Sequence, residues 1–476
     1  MKLIYSILII SLWLFVPAYT TAASENNNTV ETANDHSDDN ESAHTVQSIN
    51  KYLDEISEQE KSHGAMDPQL GEQLLGLGLL YKNQGQYDKA SEVLQRSLQI
   101  KRVNTGLQSM AQIPVLEALI DSNDAAGNWD ELDTNYHLLL WVTQRNLQPG
   151  DPRMLAIYER LGKWELRALA GGLLKESPEH TLSDLSEMYQ STIKLMRTLY
   201  GEKDPRLVKP LRMNSLIGYQ LARLTLDTPL ESFEGTGGTA IQYQLVCRER
   251  ITPWGIQPVC SNVAVDNPGY YTSKQAERTN TVMSYVYQTG KALRQIAEIQ
   301  NLNLSASNYD RARSFVDLGD WYFINNRRTA AFNAYKSAYE FLKNTSSAPR
   351  DIALLFGKPV RIPIVDLGMG TGKTTAGDNV DEAYVTLSFT VTVRGQARNI
   401  KVVDESNPDN IQARINAKKL VSSTLFRPRI VDGDPVDTQN TVLRLSGDEV
   451  TNAPGQTLDY FIRNRNYNSL QSRIIE

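Results

Sequence analysis

One arrangement of small and large residues occurs twice in this chain at a constant offset, and it constrains the fold more than any bulk property does. Leu77, Gly78, Tyr81, Gly85, Tyr87, Ala90, Leu94 and Ser97 lay out two helical stretches about a turn. Leu119, Ile120, Asn123, Gly127, Trp129, Leu132, Tyr136 and Leu139 repeat the layout, with Ile120 where Gly78 stands. The apolar spacing is that of an amphipathic helix. A unit this short cannot bury its own apolar face, so neighbouring copies must stack and share a core. Small residues at Gly78 and Ala90 let the paired helices approach closely. Leu318, Gly319, Tyr322, Ala331, Tyr335 and Ala338 make a further copy, with Asn326 and Arg328 at its turn. Asp67-Pro68, Asp151-Pro152 and Asp204-Pro205 each set an Asp cap before a Pro in a first helical turn.

These residues resemble the tetratricopeptide repeat, lacking the usual Ala at Ser97 and the closing Pro. The Asp-Pro elements and the joint LYGEKDPRL, ending at Leu207, resemble the lengthened repeat of kinesin light chains. The resemblance implies a helical solenoid with a groove lined by the first helix of each pair. Its groove-facing positions would include Lys82 and Asn83, then Glu117 and Asp121, and in the last copy Arg313 and Asp320. Mixed charge there suits a peptide or a partner helix better than a polyanion.

After Pro349 the period changes. Val385, Leu387, Phe389, Val391 and Val393 alternate with Thr386, Ser388, Thr390 and Thr392, the pattern of a half-buried antiparallel strand. Gly395-Gln396 makes a turn and Ile400–Val403 a second strand. Residues 408–425 form a helix, and FRPRIVDGDPV followed by TVLRL is a further hairpin. This α+β order resembles the C-terminal domain of TonB-like proteins, carried by LSFTVTVRGQARNIKVVDES and by LFRPRIVDGDPV with its Phe426-Arg427-Pro428 and Asp432-Gly433 elements. The resemblance implies a periplasmic domain that adds a strand to a partner or packs with a partner domain. This sequence departs from a true energy transducer in two ways: it has no long Pro-rich spacer, and its N-terminus has the pattern of a cleavable signal.

At the N-terminus, Lys2, the apolar run Leu3–Val16, Pro17 and the small residues Thr21-Ala22-Ala23 have the pattern of an export signal, with cleavage expected after Ala23 and a retained N-terminal anchor as the alternative. The periplasm is the expected location. Residues 24–45 are polar and acidic, without Lys or Arg, and are expected to be a solvated, disordered linker. Export suits the two cysteines: Cys247 and Cys260 lie in alternating runs on either side of Pro253-Trp254-Gly255, a hairpin closed by a disulfide. The Gly-rich stretch at about 229–273 is therefore an insertion between repeat helices.

The remaining chemistry is sparse. Five His and two Cys among 476 residues argue against zinc, iron–sulfur and multi-histidine centres. A net charge of -6 without a basic block leaves no footprint for nucleic acid. Gly368, Gly370, Gly372, Lys373 and Thr374 imitate a phosphate-binding loop, but the position that needs Gly is Leu367, so no nucleotide is expected. His36 and His44 fall in the linker; His63, His137 and His180 stand singly, and His137 is expected to pack or lie at the surface. No catalytic residue, metal or cofactor is assigned.

The expected architecture is thus a signal peptide (1–23), a linker (24–45), a helical repeat domain (46–345), a connecting stretch (346–381), a ββαββ module (382–447) and a tail (448–476). The function expected of it is a non-enzymatic periplasmic adaptor binding proteins or peptides of the cell envelope, with only indirect membrane contact. The alternatives are an envelope transport component of TonB type coupled to an outer-membrane receptor and a cell-wall-acting enzyme. Partner identity and oligomeric state stay open at the level of sequence.

Overall fold

The structure is a computed structural model that describes residues 37–173, 177–233, 240–252, 255–362, 383–447 and Val450. The chain divides into two compact units, Met1–Thr181 and Leu182–Glu476.

The first unit is helical. α1 (Ser37–His63) precedes two helix pairs, α2 (Pro68–Asn83) with α3 (Tyr87–Thr105) and α4 (Ile113–Ala126) with α5 (Trp129–Asn146), and then α6 (Arg153–Gly171). α1 begins inside the stretch expected to be a linker. It lies on α2 as a preceding repeat helix would, with Ile49 and Ile56 in one core with Leu70, Leu74, Leu77 and Ile100. The expected caps form: Asp67 accepts from Gln69 N–H at 2.8 Å and Asp151 from Arg153 N–H at 2.9 Å.

Two close approaches explain the repeat. A Cβ on Gly78 would stand 2.5 Å from Leu94 Cγ, and one on Gly319 would stand 2.5 Å from Tyr335 Cε1, at the matching place in the last copy. Ser97, standing in for Ala, is fully buried and donates its hydroxyl to the Gly71 carbonyl at 2.6 Å, so its polar atom is satisfied. In the second copy Ile120 is buried where Gly78 stands, and its opposite number Tyr136 is displaced to half-burial. The turns also agree: Gly85 has φ 72, and Asn326, its counterpart, takes the same left-handed backbone at φ 58. Asn is among the few other residues that enter that region readily.

The second unit carries α7 (Pro178–Tyr200), α8 (Val208–Asp227), a hairpin of β1 (Ile241–Thr252) and β2 (Gly255–Asp266), α9 (Pro268–Leu302), α10 (Asn308–Ile324) and α11 (Arg328–Leu342). Asp204 caps the turn before α8, accepting from Arg206 N–H at 2.9 Å. Cys247 and Cys260 face each other across the hairpin and are joined by a disulfide. α12 (Ala348–Phe356) lies within the stretch expected to be a connection; Leu355 and Phe356 are buried in the same core as Tyr335 and Leu342, which is why it folds. β3 (Val360–Arg361) follows. The phosphate-loop imitation lies outside the described residues.

The C-terminal elements are β4 (Tyr384–Val391), β5 (Ala397–Glu405), α13 (Ile411–Ser423), β6 (Phe426–Arg427), β7 (Arg429–Val431), β8 (Asp434–Val436) and β9 (Thr438–Ser446). β4 is the central strand of an antiparallel sheet ordered β5-β4-β9, and β6 pairs with β3. Val385, Leu387, Phe389 and Val391 bury one face of β4 against Ala413, Ala417 and Val421 of α13, as the alternation requires; Val393 lies beyond the strand and is exposed. The expected hairpin is only partly so: β7 pairs with β8 about Asp432-Gly433, but β9 returns to β4. The side chain of Val450, placed in the tail by sequence, completes this core.

Among the described residues no helix is long and apolar enough to cross a membrane.

Candidate functional site: the first-helix face of the repeats

In the first unit, residues of successive first helices meet across repeat boundaries. Lys82 Nζ of α2 lies 3.0 Å from Asp121 Oδ2 of α4, and Glu117 Oε1 of α4 lies 3.0 Å from Arg160 Nη1 of α6. A third pair joins Asp124 Oδ1 to Arg167 Nη2 at 2.6 Å. Three of the four expected residues therefore sit in one stitched row, while Asn83 is exposed at the end of α2. The pairs are half-exposed, so each contributes little to stability, roughly 0–1 kcal/mol. Their charge remains within reach of a ligand.

Beside this row stands an aromatic step built by α5 and α6. Trp129 stacks on Trp164 at 5.9 Å, and Tyr136 stacks on the same indole at 6.3 Å. The Arg167 guanidinium lies 5.0 Å from the centroid of Trp164 and 5.6 Å from that of Trp129, and Arg160 lies 5.9 Å from Tyr136. Burial raises the Tyr136 phenol above its ordinary range, with Arg160 pulling it back. Trp164 Nε1–H donates to Asp133 Oδ1 at 2.8 Å, which fixes the indole. Exposed His137 has Nε2 3.7 Å from Asp133 Oδ2 and 3.8 Å from Glu165 Oε1, so it is a surface residue beside two carboxylates. Arg160, Arg167, Asp124 and Trp129 were not among the expected site residues. A shared sequence separation of 43 between Glu117 and Arg160 and between Asp124 and Arg167 is the signal that points to them.

The last copy differs. Arg313 Nε lies 3.6 Å from Asp317 Oδ1 on its own helix, and Arg212 Nη1 of α8 reaches Asp317 Oδ2 at 3.2 Å. Asp320, expected to line the groove, is instead engaged within the chain: it accepts from Tyr335 Oη at 2.7 Å and from Arg427 Nη1 at 2.8 Å. The side chains of Asp317 and Arg427 are each 8% exposed and that of Asp320 15%. Burial raises both carboxyls, and the surrounding guanidiniums lower them again. The position is covered because β6, which carries Arg427, lies over the last repeat; Leu425 and Ile430 share the core of α10 and α11.

Among the described residues no group of three or more His, Cys, Asp or Glu side chains could hold a metal ion. No protein-family model and no curated protein matches the chain. Among solved structures it is similar to a kinesin-light-chain-like protein of Podosopora anserina with nearly identical TPR-like repeats, at 13% identity and TM-score 0.32 over 59% of this chain and 98% of that one. It is also similar to BtubC (BKLC) of P. vanneervenii, at 13% identity and TM-score 0.29 over 63% and 90%. The helix pairs, their close approaches and their left-handed turns make this a TPR-like helical repeat protein with a small β-sheet module at its C-terminal end.

Proposed function

We propose that the chain is a non-enzymatic adaptor that holds an extended peptide or a helix of a protein partner on the first-helix face of α2, α4 and α6. The observation that carries this is the coupling of an ion-pair row to an aromatic step in one place. Arg160 and Arg167 offer planar, stackable cations already held in position, while Glu117, Asp121 and Asp124 offer acceptors to a basic partner group. Such a surface recognises mixed charge with an aromatic or aliphatic anchor, the pattern of peptide recognition by stacked repeats.

On this reading the C-terminal module is TonB C-terminal-like and supplies a second contact. Its β9 edge favours strand addition: β9 pairs with β4 without a break from Thr441 to Ser446, whereas the opposite edge strand, β5, shifts register twice. Irregular edges resist added strands and regular ones accept them. Export to the periplasm belongs to the same proposal and follows from the N-terminal sequence pattern.

The test is in-cell crosslinking of wild type and of an Arg160→Glu/Arg167→Glu variant, with osmotic-shock fractionation of the same cells. Loss of specific adducts at unchanged thermal melting and release with the periplasmic fraction are expected. Adducts that persist in the variant would remove the first-helix face from the function, and retention in the cytoplasm would remove the envelope. Release of fragments from peptidoglycan by the purified protein would favour the enzymatic alternative.

A further inference from the structure

The ribbon of β1 and β2 stands apart from the repeat surface. Among the described residues its strands pair only with each other. Opposed residues of an antiparallel pair share a face, so the register puts Ile241, Tyr243, Leu245 and Cys247 on one side together with Asp266, Ala264, Asn262 and Cys260. That side is in water: Tyr243 is 75% exposed, Leu245 62% and Ile241 52%. The polar residues Gln242 and Gln244 alternate onto the other side. Val265 and Val263 lie opposite them on that side, so what sets the first face apart is size and exposure: it carries the three largest and most exposed apolar groups among the described residues of the ribbon, Ile241, Tyr243 and Leu245. A two-stranded ribbon is marginal on its own in water, and contiguous apolar patches beyond a few hundred Å² mark interaction sites.

We propose that this face is a self-association surface, covered by the same face of a second copy about a two-fold axis. Its relief is that of a ridge beside a shelf. Ile241, Tyr243 and Leu245 make the ridge along β1, and opposite them on β2 run the small or flat groups Ala264, Asn262 and the disulfide. Turned about a two-fold, the ridge of each copy lies on the shelf of the other, so the surface complements itself and needs no second kind of molecule. Charge agrees. From Ile241 to Cys247 β1 carries no charged side chain, and Asp266, at the base of the ribbon, is the one charge on the facing run 260–266. The acidic groups of this face, Asp266 and the exposed Glu249 beyond the disulfide, stand at its two ends and leave the stretch between them uncharged. Each copy offers on the order of 500 Å², so a dimer buries about 1,000 Å², the lower end for specific association. The dimer is therefore reversible and concentration-dependent.

Sedimentation velocity on the purified chain, from about 1 to 100 µM, tests this. Wild type is expected to pass from monomer to dimer in the micromolar range. Tyr243→Ser with Leu245→Ser is expected to weaken the dimer by at least roughly tenfold. Gln244→Ser, on the opposite side, should leave it unchanged, and all variants should keep the helical circular dichroism and melting of wild type. A wild-type chain that stays monomeric throughout overturns the proposal, as does equal weakening by Gln244→Ser. A monomer that floats with lipid vesicles through Tyr243 and Leu245 would assign the face to a membrane surface instead.

Discussion

Arg427 Nη1 stands 2.8 Å from Asp320 Oδ2, and Tyr335 Oη stands 2.7 Å from the other oxygen of the same carboxylate. The C-terminal module and the last repeat thus share one buried charge pair. Removing one partner of such a pair leaves an uncompensated charge away from water, which costs about 3–5 kcal/mol. Asp320→Ala is expected to destabilise the second unit by that order. Replacing both groups, as Asp320→Leu with Arg427→Met, should recover most of the loss. Chemical denaturation of the two singles and the double, read as a cycle, checks this; additive losses would mean that the two residues do not act together.

Gly395 holds the same junction by shape. Its φ is 72, and a Cβ there would stand 2.3 Å from the Phe426 carbonyl oxygen and 2.5 Å from Phe323 Cε1 of α10. Gly395→Ala should therefore loosen β6 from α10. Gly201→Ala shares the positive φ but meets nothing within 4 Å, so it should show only the backbone cost, about 1–2 kcal/mol. Hydrogen exchange of 384–446 in both variants separates the two effects: faster exchange is expected in the first alone.

Acid should act on the Asp204 cap. The Arg206 side chain, and then the Arg206 backbone N–H, lower its carboxyl to about 2 from the ordinary 3.8. A group depressed in the fold contributes stability that is complete above its unfolded value and is lost as pH falls through the folded one. The contribution of Asp204 is therefore intact above about pH 4 and disappears toward pH 2. Melting curves of wild type and Asp204→Asn should converge over that window and stay separated above it.

Legibility followed distance along the chain. The helix pairs, their Asp caps and the β4 alternation are local patterns, and the structure places them where the residues imply. Asn326 weakens the motif as letters yet performs the same turn as Gly85, because backbone conformation rather than identity is repeated. What the sequence hid depends on packing between distant segments. Asp320 matches groove positions of other repeats, but Arg427, 107 residues away, covers it. Arg160 and Arg167 enter the site only once α6 stacks beside α4. The disulfide was legible because a hairpin makes its own register.

The cysteine pair closes the ribbon and nothing else. Replacing both with Ser removes a loop constraint worth about 3 kcal/mol in the chain-entropy picture. That loss should be confined to the hairpin: hydrogen exchange is expected to quicken across 241–266 while α8 and α9 keep their rates. A matching loss in those helices would mean that the ribbon supports the solenoid.

α1 covers the free side of the first repeat, and β6 with Arg427 covers the last one. In the first unit a repeat added before α2 would uncover the apolar layer that α1 closes, and in the second a repeat added after α11 would strand the buried Asp320. Duplications that persist in such a chain must arise between existing units. The ribbon has that kind of address: it enters between α8 and α9, where new sequence leaves both closures untouched.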